Sequence, residues 1–291
     1  MTTFRFSMEM ISLKPGQINI GGDLLDLEVP RVMGIVNVTP DSFYAASRVR
    51  NSENIVDRVA EMVAEGADII DVGGCSTRPG TDFVDEKTEE DRVMKALGTI
   101  RDNFPNIILS VDTFRSVVAE KAVTEYGVAI INDISGGELD DKMFDTVQRL
   151  NVPYVLSHWI PEPVSVAKGD YVASVARWLA PRISKLNSCG VKDIIIDPGF
   201  GFGKTMEQNF ELLENLEELR VTGMPLLVGL SRKTMIWKTL GINPSDALTG
   251  TIALNSIALM KGADIIRVHD VREAVETVKL IKMLLGKDIN K

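Results

Sequence analysis

Eight short apolar runs punctuate the chain, and each leads through a polar or glycine-rich corner into a stretch of helical periodicity. They read RVMGIVNVT (31–39), DIIDVGG (68–74), NIILSVDT (106–113), VAIINDIS (128–135), VPYVLSH (152–158), DIIIDPG (193–199), PLLVGLS (225–231) and DIIRVHD (264–270). Continuous Val- and Ile-rich runs describe strands buried on both faces, as in a parallel sheet, and parallel strands need crossovers between them. The helical segments fall where that demands, at 52–65, 86–102, 115–126, 140–149, 171–188, 207–221, 245–261 and 271–285. AEGADIIDVGG and MKGADIIRVHD repeat one shape, a helix end, a glycine and then a strand. Eight βα units in about 250 residues match a (β/α)8 TIM barrel, whereas a doubly wound sheet more often uses about five to seven strands. The expected fold is therefore a single α/β barrel over 31–291. Residues 1–30, with KPGQ and IGGD turns, are expected to form an N-terminal β-hairpin extension covering its lower end.

The chain has 291 residues, 45% of them hydrophobic, enough to bury a full core without staples. Its formal net charge of −9 argues against a nucleic-acid or anionic-membrane surface, which needs a cationic face. An anionic ligand must then be held by a local cluster of Arg and Lys. Two cysteines, Cys75 and Cys189, make no C-x-x-C pair or disulfide framework, and this fits a reducing compartment. No signal-peptide core opens the chain, and no apolar run approaches the roughly 18 residues of a membrane span, so a cytoplasmic location is expected.

In a barrel the C-terminal ends of the strands line the active-site mouth. Those positions hold Asn37, Asp71, Asp112, Asn132, Asp133, His158, Asp197, Ser231, Arg267 and His269. A polar residue at one strand end is ordinary, but a convergent ring of them is better explained by a ligand. The set divides by charge. The seventh, eighth and first strands, neighbours once the barrel closes, contribute Ser231, Arg232, Lys233, Arg267, His269 and Asn37, on the side where barrels commonly bind phosphate. The third, fourth and sixth contribute Asp112, Asn132 and Asp197, acceptors suited to a donor-rich heterocycle edge such as a 2-aminopyrimidinone. Magnesium ligation and helix capping are rival uses for the carboxylates, with Asp112 and Thr113 placed to cap the third helix.

GGCSTRPGTD reads either as a solvated loop or as a lid bringing Thr77 and Arg78 over the mouth. His158 and His269 are the only histidines, and without a third His or Cys ligand they do not suggest zinc. DPGFGFGKT ends like a nucleotide-binding P-loop, but Pro198 stands where that motif needs its first glycine and has no N–H to offer a phosphate. Lys204 and Thr205 are expected to be a solvated helix start.

Seven segments, MGIVNVTPDSF, DVGGCSTRPG, VDTFRSVVAEKA, INDISGG, DPGFGFGKT, GLSRKTMI and IIRVHDV, resemble in order and spacing the signatures of bacterial dihydropteroate synthase, over roughly 31–285. The resemblance implies a (β/α)8 barrel that joins 6-hydroxymethyl-7,8-dihydropterin pyrophosphate to p-aminobenzoate, releasing pyrophosphate and forming 7,8-dihydropteroate. It implies that Asp112, Asn132, Asp197 and Lys233 hold the pterin, with Arg267 stacked on its ring. Asn37 would bind Mg2+, and Asn37, Arg267 and His269 would hold the pyrophosphate. Thr77, Pro79, Phe202 and Thr234 would shape the p-aminobenzoate pocket, and its carboxylate would meet the helix start near Lys233. Phe43 and Arg78 would ride on closing loops, Ser231 would belong to the substrate-binding set, and the family is usually homodimeric.

Three departures stand out. Ala45 replaces a loop acid, Cys75 replaces a glutamate common in the second loop, and Ser157 stands where a methionine is expected against the pterin. A pterin-binding paralogue without turnover, and a methyltetrahydrofolate-dependent methyltransferase, are the alternatives; the latter has no need of a pyrophosphate cluster.

Overall fold

The computed structural model describes residues 16–39, 52–75 and 83–286. Phe43, Ala45, Thr77, Arg78 and Pro79 lie outside the described residues.

Strands β1 (Gln17–Ile20) and β2 (Asp23–Asp26) form an antiparallel hairpin. Gly21 and Gly22 make its turn with φ of +61° and +107°, a region open to glycine at little cost. Eight parallel strands follow: β3 (Arg31–Asn37), β4 (Ile69–Gly73), β5 (Ile108–Asp112), β6 (Ile130–Asp133), β7 (Tyr154–Ser157), β8 (Ile194–Asp197), β9 (Leu227–Val228) and β10 (Ile265–Val268). Each pairs with its successor from β3 to β8, and β10 pairs with both β9 and β3. One parallel bridge, Ile196 to Leu226, joins β8 to the start of β9 and closes the ring, with the Ile196 N–H donating to the Pro225 carbonyl at 2.9 Å.

The helices between the strands are α1 (Ser52–Glu65), α2 (Glu86–Asn103), α3 (Ser116–Tyr126), α4 (Met143–Leu150), α5 (Tyr171–Ser188), α6 (Met206–Glu214), α7 (Thr234–Leu240), α8 (Leu248–Met260) and α9 (Val271–Leu284). No helix among the described residues is long and apolar enough to cross a membrane. The helices differ from the sequence reading in several places: α7 lies outside the eight expected segments, and the helix expected from 245 starts at Leu248, after a 3-10 turn over Pro244–Asp246. The expected helix at 207–221 stops at Glu214, where the Asn215 side-chain amide donates back to the Glu211 carbonyl at 3.0 Å, and a 3-10 turn continues over Leu216–Thr222. The helix expected from 140 starts at Met143, because Asp140 is used elsewhere: its carboxylate accepts the Ser116 N–H at the start of α3.

Strand periodicity then sets the interior. Met33, Ile69, Ile130, Val155, Ile195, Leu227 and Ile265 pack together in the lower barrel, joined by Ile18 and Leu27 from the hairpin segment, which plug that end. Residues of the other parity, such as Val32, Ile70, Leu109 and Ile266, pack in the layer shared with the helices. Two residues further up the inward face, the sequence changes character. Asp71, Asn132, Ser157, Asp197 and Arg267 occupy the next inward positions, with Asn37, Asp112 and His269 in the same phase. Among the described residues, an apolar floor lies beneath a polar upper chamber at the C-terminal mouth of the barrel.

Candidate active site

Arg267 organises the polar chamber. Its Nε donates to Asp71 Oδ2 at 2.6 Å, and an Nη donates to Asp112 Oδ2 at 2.6 Å. The Asn132 amide also donates to Asp71 Oδ2, at 3.0 Å, so one buried carboxylate fixes both a cation and an amide. The second oxygens, Asp71 Oδ1 and Asp112 Oδ1, are buried without a hydrogen-bond partner. Burial pushes the Asp112 carboxyl up to about 7, with Arg267 pulling against it and Asp71 and Asp133 adding to the rise. Burial by itself would lower the Arg267 pKa, but the charges of Asp71 and Asp112 outweigh it and raise it. Asp112 does not cap α3, since its bound oxygen faces Arg267; Thr113 and Asp140 serve that segment instead.

Across the mouth lies Lys233, directly before α7. Its ammonium donates to the Phe200 carbonyl and sits 4.3 Å from the centre of the Phe202 ring. Burial pulls its pKa down to about 8, with Asp197 resisting. Burial also raises Asp197, which Lys233 and the Gly199 N–H, donating to Oδ1 at 2.7 Å, work to keep ionised. Asp197, Phe200 and Phe202 all come from the DPGFGFG stretch that leaves β8.

Ser231 and His269 form the third element. The Ser231 hydroxyl accepts the His269 backbone N–H at 3.1 Å and lies 2.9 Å from His269 Nδ1. If the hydroxyl donates its one proton to Nδ1, the neutral ring carries its own proton on Nε2. The His269 carbonyl is held by Arg58 of α1. Asn37 is half-buried, close to where Gly73 lacks a side chain: a Cβ there would stand 3.3 Å from Asp112 Cβ and 3.6 Å from Asn37 Oδ1.

Chains of this length and pattern have known counterparts. Residues 33–269 match the family model of pterin binding enzymes. A dihydropteroate synthase of Clostridium beijerinckii is 40% identical over 257 residues, covering 87% of this chain and 94% of that protein. Two solved structures are similar throughout. A dihydropteroate synthase of Xanthomonas albilineans with 4-aminobenzoic acid has a TM-score of 0.85 and 36% identity, covering 94% of this chain and 99% of that one. A Coxiella burnetii dihydropteroate synthase in complex with pteroic acid has a TM-score of 0.85 and 36% identity, covering 92% and 98%. The chain belongs to the dihydropteroate synthase family of pterin-binding enzymes.

The resemblance read from the seven motifs thus holds, and so does the barrel. Within this synthase-family barrel, Asn37, Asp112, Asn132, Asp197, Phe202, Ser231, Lys233, Arg267 and His269 are gathered around one mouth, while Thr234 is exposed in the first turn of α7. Several expectations need correction. Arg232 is no part of an anion cluster: with φ of +54° it turns away and pairs with Asp270 at 2.8 Å and 3.0 Å, also donating to the Pro244 carbonyl. Asp133 faces outward, where its carboxylate takes Tyr154 Oη at 2.7 Å, the Ser135 hydroxyl and N–H, and the Gly137 N–H. Thr205 does open α6, with a capping box to Gln208, but Lys204 is not solvated. Its ammonium is enclosed by carbonyls and by His158, whose own pKa burial and Lys204 bring down to about 2.

Asp71 is the residue that sequence reasoning ranked too low. It was one polar strand end among ten, yet its phase within IIDVG already aims it inward, opposite Arg267. Among the described residues no group of three or more His, Cys, Asp or Glu could hold a metal ion. Of the departures, Cys75 is a buried thiol packed with Phe114 and Ile134, and Ser157 is fully buried with an unpartnered Oγ.

Proposed function

We propose that the barrel mouth condenses 6-hydroxymethyl-7,8-dihydropterin pyrophosphate with p-aminobenzoate, giving 7,8-dihydropteroate and pyrophosphate. The observation that carries this reading is the pairing, in one chamber, of buried acceptors with a set of donors. Asp112 Oδ1, Asn132 and Asp197, with the Lys233 ammonium beside Asp197, suit the edge of a pterin, whereas Arg267 and a His269 ring N–H suit phosphate oxygens. Family membership supports it, as do the 4-aminobenzoic acid and pteroic acid bound by the two similar synthases.

The chemistry then needs little covalent help from the protein. The bond between the pterin's exocyclic carbon and the leaving oxygen breaks, and the electron pair departs with pyrophosphate. Positive charge spreads into the ring, held beside ionised Asp112 and Asp197, and donors already aimed at the leaving group lower the barrier without reorganising. The aniline nitrogen of p-aminobenzoate forms the new C–N bond, and its proton passes to solvent or pyrophosphate. In this proposal Arg267 stacks on the pterin, and Phe202 and Thr234 flank the aminobenzoate.

Mg2+ fits this arrangement as a ligand shared with substrate. Asn37 offers one hard carbonyl oxygen beside the open face of Gly73, and this ion is commonly bound by few protein ligands plus phosphates and waters. Once bound, it would neutralise charge on the departing pyrophosphate. We extend the proposal to a cytoplasmic homodimer: neighbouring α8 and α9 expose Ile257, Met260, Leu280, Met283 and Leu284, more apolar surface than isolated helices usually leave in water. The decisive experiment is product formation: purified protein should release pyrophosphate only with Mg2+ and p-aminobenzoate together. Pterin pyrophosphate bound but never converted to dihydropteroate would leave a binding protein in place of an enzyme.

A further inference from the structure

The five residues 199–203 are backbone held in an improbable path. Gly199, Gly201 and Gly203 have φ of +69°, +82° and +56°, and a Cβ would lie 2.0 Å from the His158 carbonyl at Gly199 and 2.1 Å from the Ile160 carbonyl at Gly203. The loop therefore rests directly on the segment that leaves β7. Little regular hydrogen bonding supports it: Phe202 N–H donates to the Gly199 carbonyl at 3.1 Å, and Gly201 N–H donates to Asn209 Oδ1 at 2.7 Å. Something else must fix it, because Lys233 takes its carbonyl partner from Phe200 and its ring partner from Phe202.

Lys204 supplies the tie. Its ammonium lies 2.7 Å from the Gly199 carbonyl, 3.1 Å from that of Phe202, 3.3 Å from that of His158, and 2.9 Å from His158 Nδ1. The contacts join the start of the loop, its end and the neighbouring strand-7 segment, and together they engage all three ammonium protons. His158 is 3% exposed, and its ring meets Trp178 edge-on at 4.9 Å, so the acceptor is itself immobile. As acceptor at Nδ1 the neutral imidazole carries its proton on Nε2.

We propose that Lys204, with His158 as its fixed acceptor, is a positioning residue that holds the 199–203 loop so that Phe202 presents a formed pocket to the second substrate. This rests on the reading given under Proposed function. Lys204 touches no reacting group; its effect reaches the reaction through Phe200 and Phe202. A neutral side chain of the same length could fill the space but could not bind three separate acceptors.

The test uses the full chain. Lys204→Met keeps the stem and removes the donors, and it should raise KM for p-aminobenzoate about tenfold while Kd for 6-hydroxymethylpterin, by calorimetry, changes less than about threefold. His158→Leu removes the acceptor and should shift KM in the same direction, whereas His158→Asn restores an acceptor near Nδ1 and should return KM to within about twofold of the original. Should Lys204→Met fail to fold, the His158 pair decides. Unchanged KM in Lys204→Met, equal loss of affinity for both ligands, or His158→Asn behaving like His158→Leu would each overturn the assignment. Absence of turnover in the unaltered protein would instead defeat the synthase reading itself.

Discussion

Ser231 and His269 are locked to each other twice, by the backbone N–H of the histidine donating to Oγ at 3.1 Å and by the 2.9 Å contact between Oγ and Nδ1. The pair fixes the ring's plane, and donation from the Ser231 hydroxyl to Nδ1 would place the ring's proton on Nε2. Ser231→Ala removes both contacts while leaving the fold's core untouched. kcat/KM for the pterin pyrophosphate should fall by roughly 10- to 100-fold, about 1.4–2.7 kcal/mol of transition-state stabilisation. With two histidines in the chain, nitrogen NMR can follow His269 directly. An unaltered Nε2–H signal together with unaltered kinetics would show that Ser231 does not set the tautomer.

Asp71 binds Arg267 and Asn132 at once, so Asp71→Asn should damage both. The neutral amide keeps one acceptor but leaves Arg267 with Asp112 as its remaining carboxylate partner in the chamber. Weakening a buried charge-assisted bond of this kind costs about 1–3 kcal/mol. Urea unfolding should show that loss, and pterin affinity should fall with it. The double variant Asp71→Asn with Asn132→Ala should be less than additive, because the two side chains share one interaction.

Much of this was legible in the sequence for a definite reason. Strand-ending residues such as Asp112, Asn132, Asp197 and His269 stand out because the strands beneath them are apolar, so chain position alone delivers them to one rim. Side-chain direction is what one sequence conceals. Arg232 and Lys233 are adjacent cations in one motif, yet the +54° φ at Arg232 sends it to Asp270 while Lys233 enters the mouth. Asp133 likewise follows Asn132 by one residue, and strand alternation places it on the opposite face. Lys204 looked solvated because GKT is a polar helix start; its enclosure depends on His158, which is distant in sequence and adjacent only across β7 and β8.

Asp112 should impose a pH dependence on pterin binding. Its pKa is raised from 3.8 to about 7, and the ionised form is the one that accepts from a pterin edge. Affinity should therefore be constant at high pH and weaken as pH falls through about 7. A phosphate-free ligand such as 6-hydroxymethylpterin isolates this effect from titration of the leaving group. The stability sign runs the opposite way. A carboxyl whose folded pKa is raised binds its proton more tightly when folded, so this group favours folding increasingly as pH drops from about 7 toward 3.8. In Asp112→Asn the pH dependence of binding between pH 6 and 8 should vanish, leaving uniformly weak affinity; persistence of the slope would assign it to another group.

The exposed row on α9 offers a test of assembly. Leu280 is 71% exposed and Leu284 69%, an unusual cost in water for helix positions one turn apart. A Leu280→Glu, Leu284→Glu double variant should sediment as a monomer where the unaltered chain sediments as a dimer. A monomeric unaltered chain would remove the homodimer from the proposal while leaving the barrel chemistry as it stands.

The hairpin plug should matter for stability and not for chemistry. Leu27 is 1% exposed and packs with Ile18 against the lower interior, at the opposite end of the strands from Lys233 and His269. Leu27→Ala removes buried methyl groups from a site with a closed floor, and such losses cost about 2–5 kcal/mol depending on how far the surroundings relax. The denaturant midpoint should drop accordingly while KM for both substrates stays within about twofold of the original, because a barrel's chemistry sits at its upper face and the packing at its base serves stability. A stability loss below about 1 kcal/mol would mean that the hairpin sits on the barrel without sealing it, and a changed KM would mean that the two ends of the barrel are mechanically coupled.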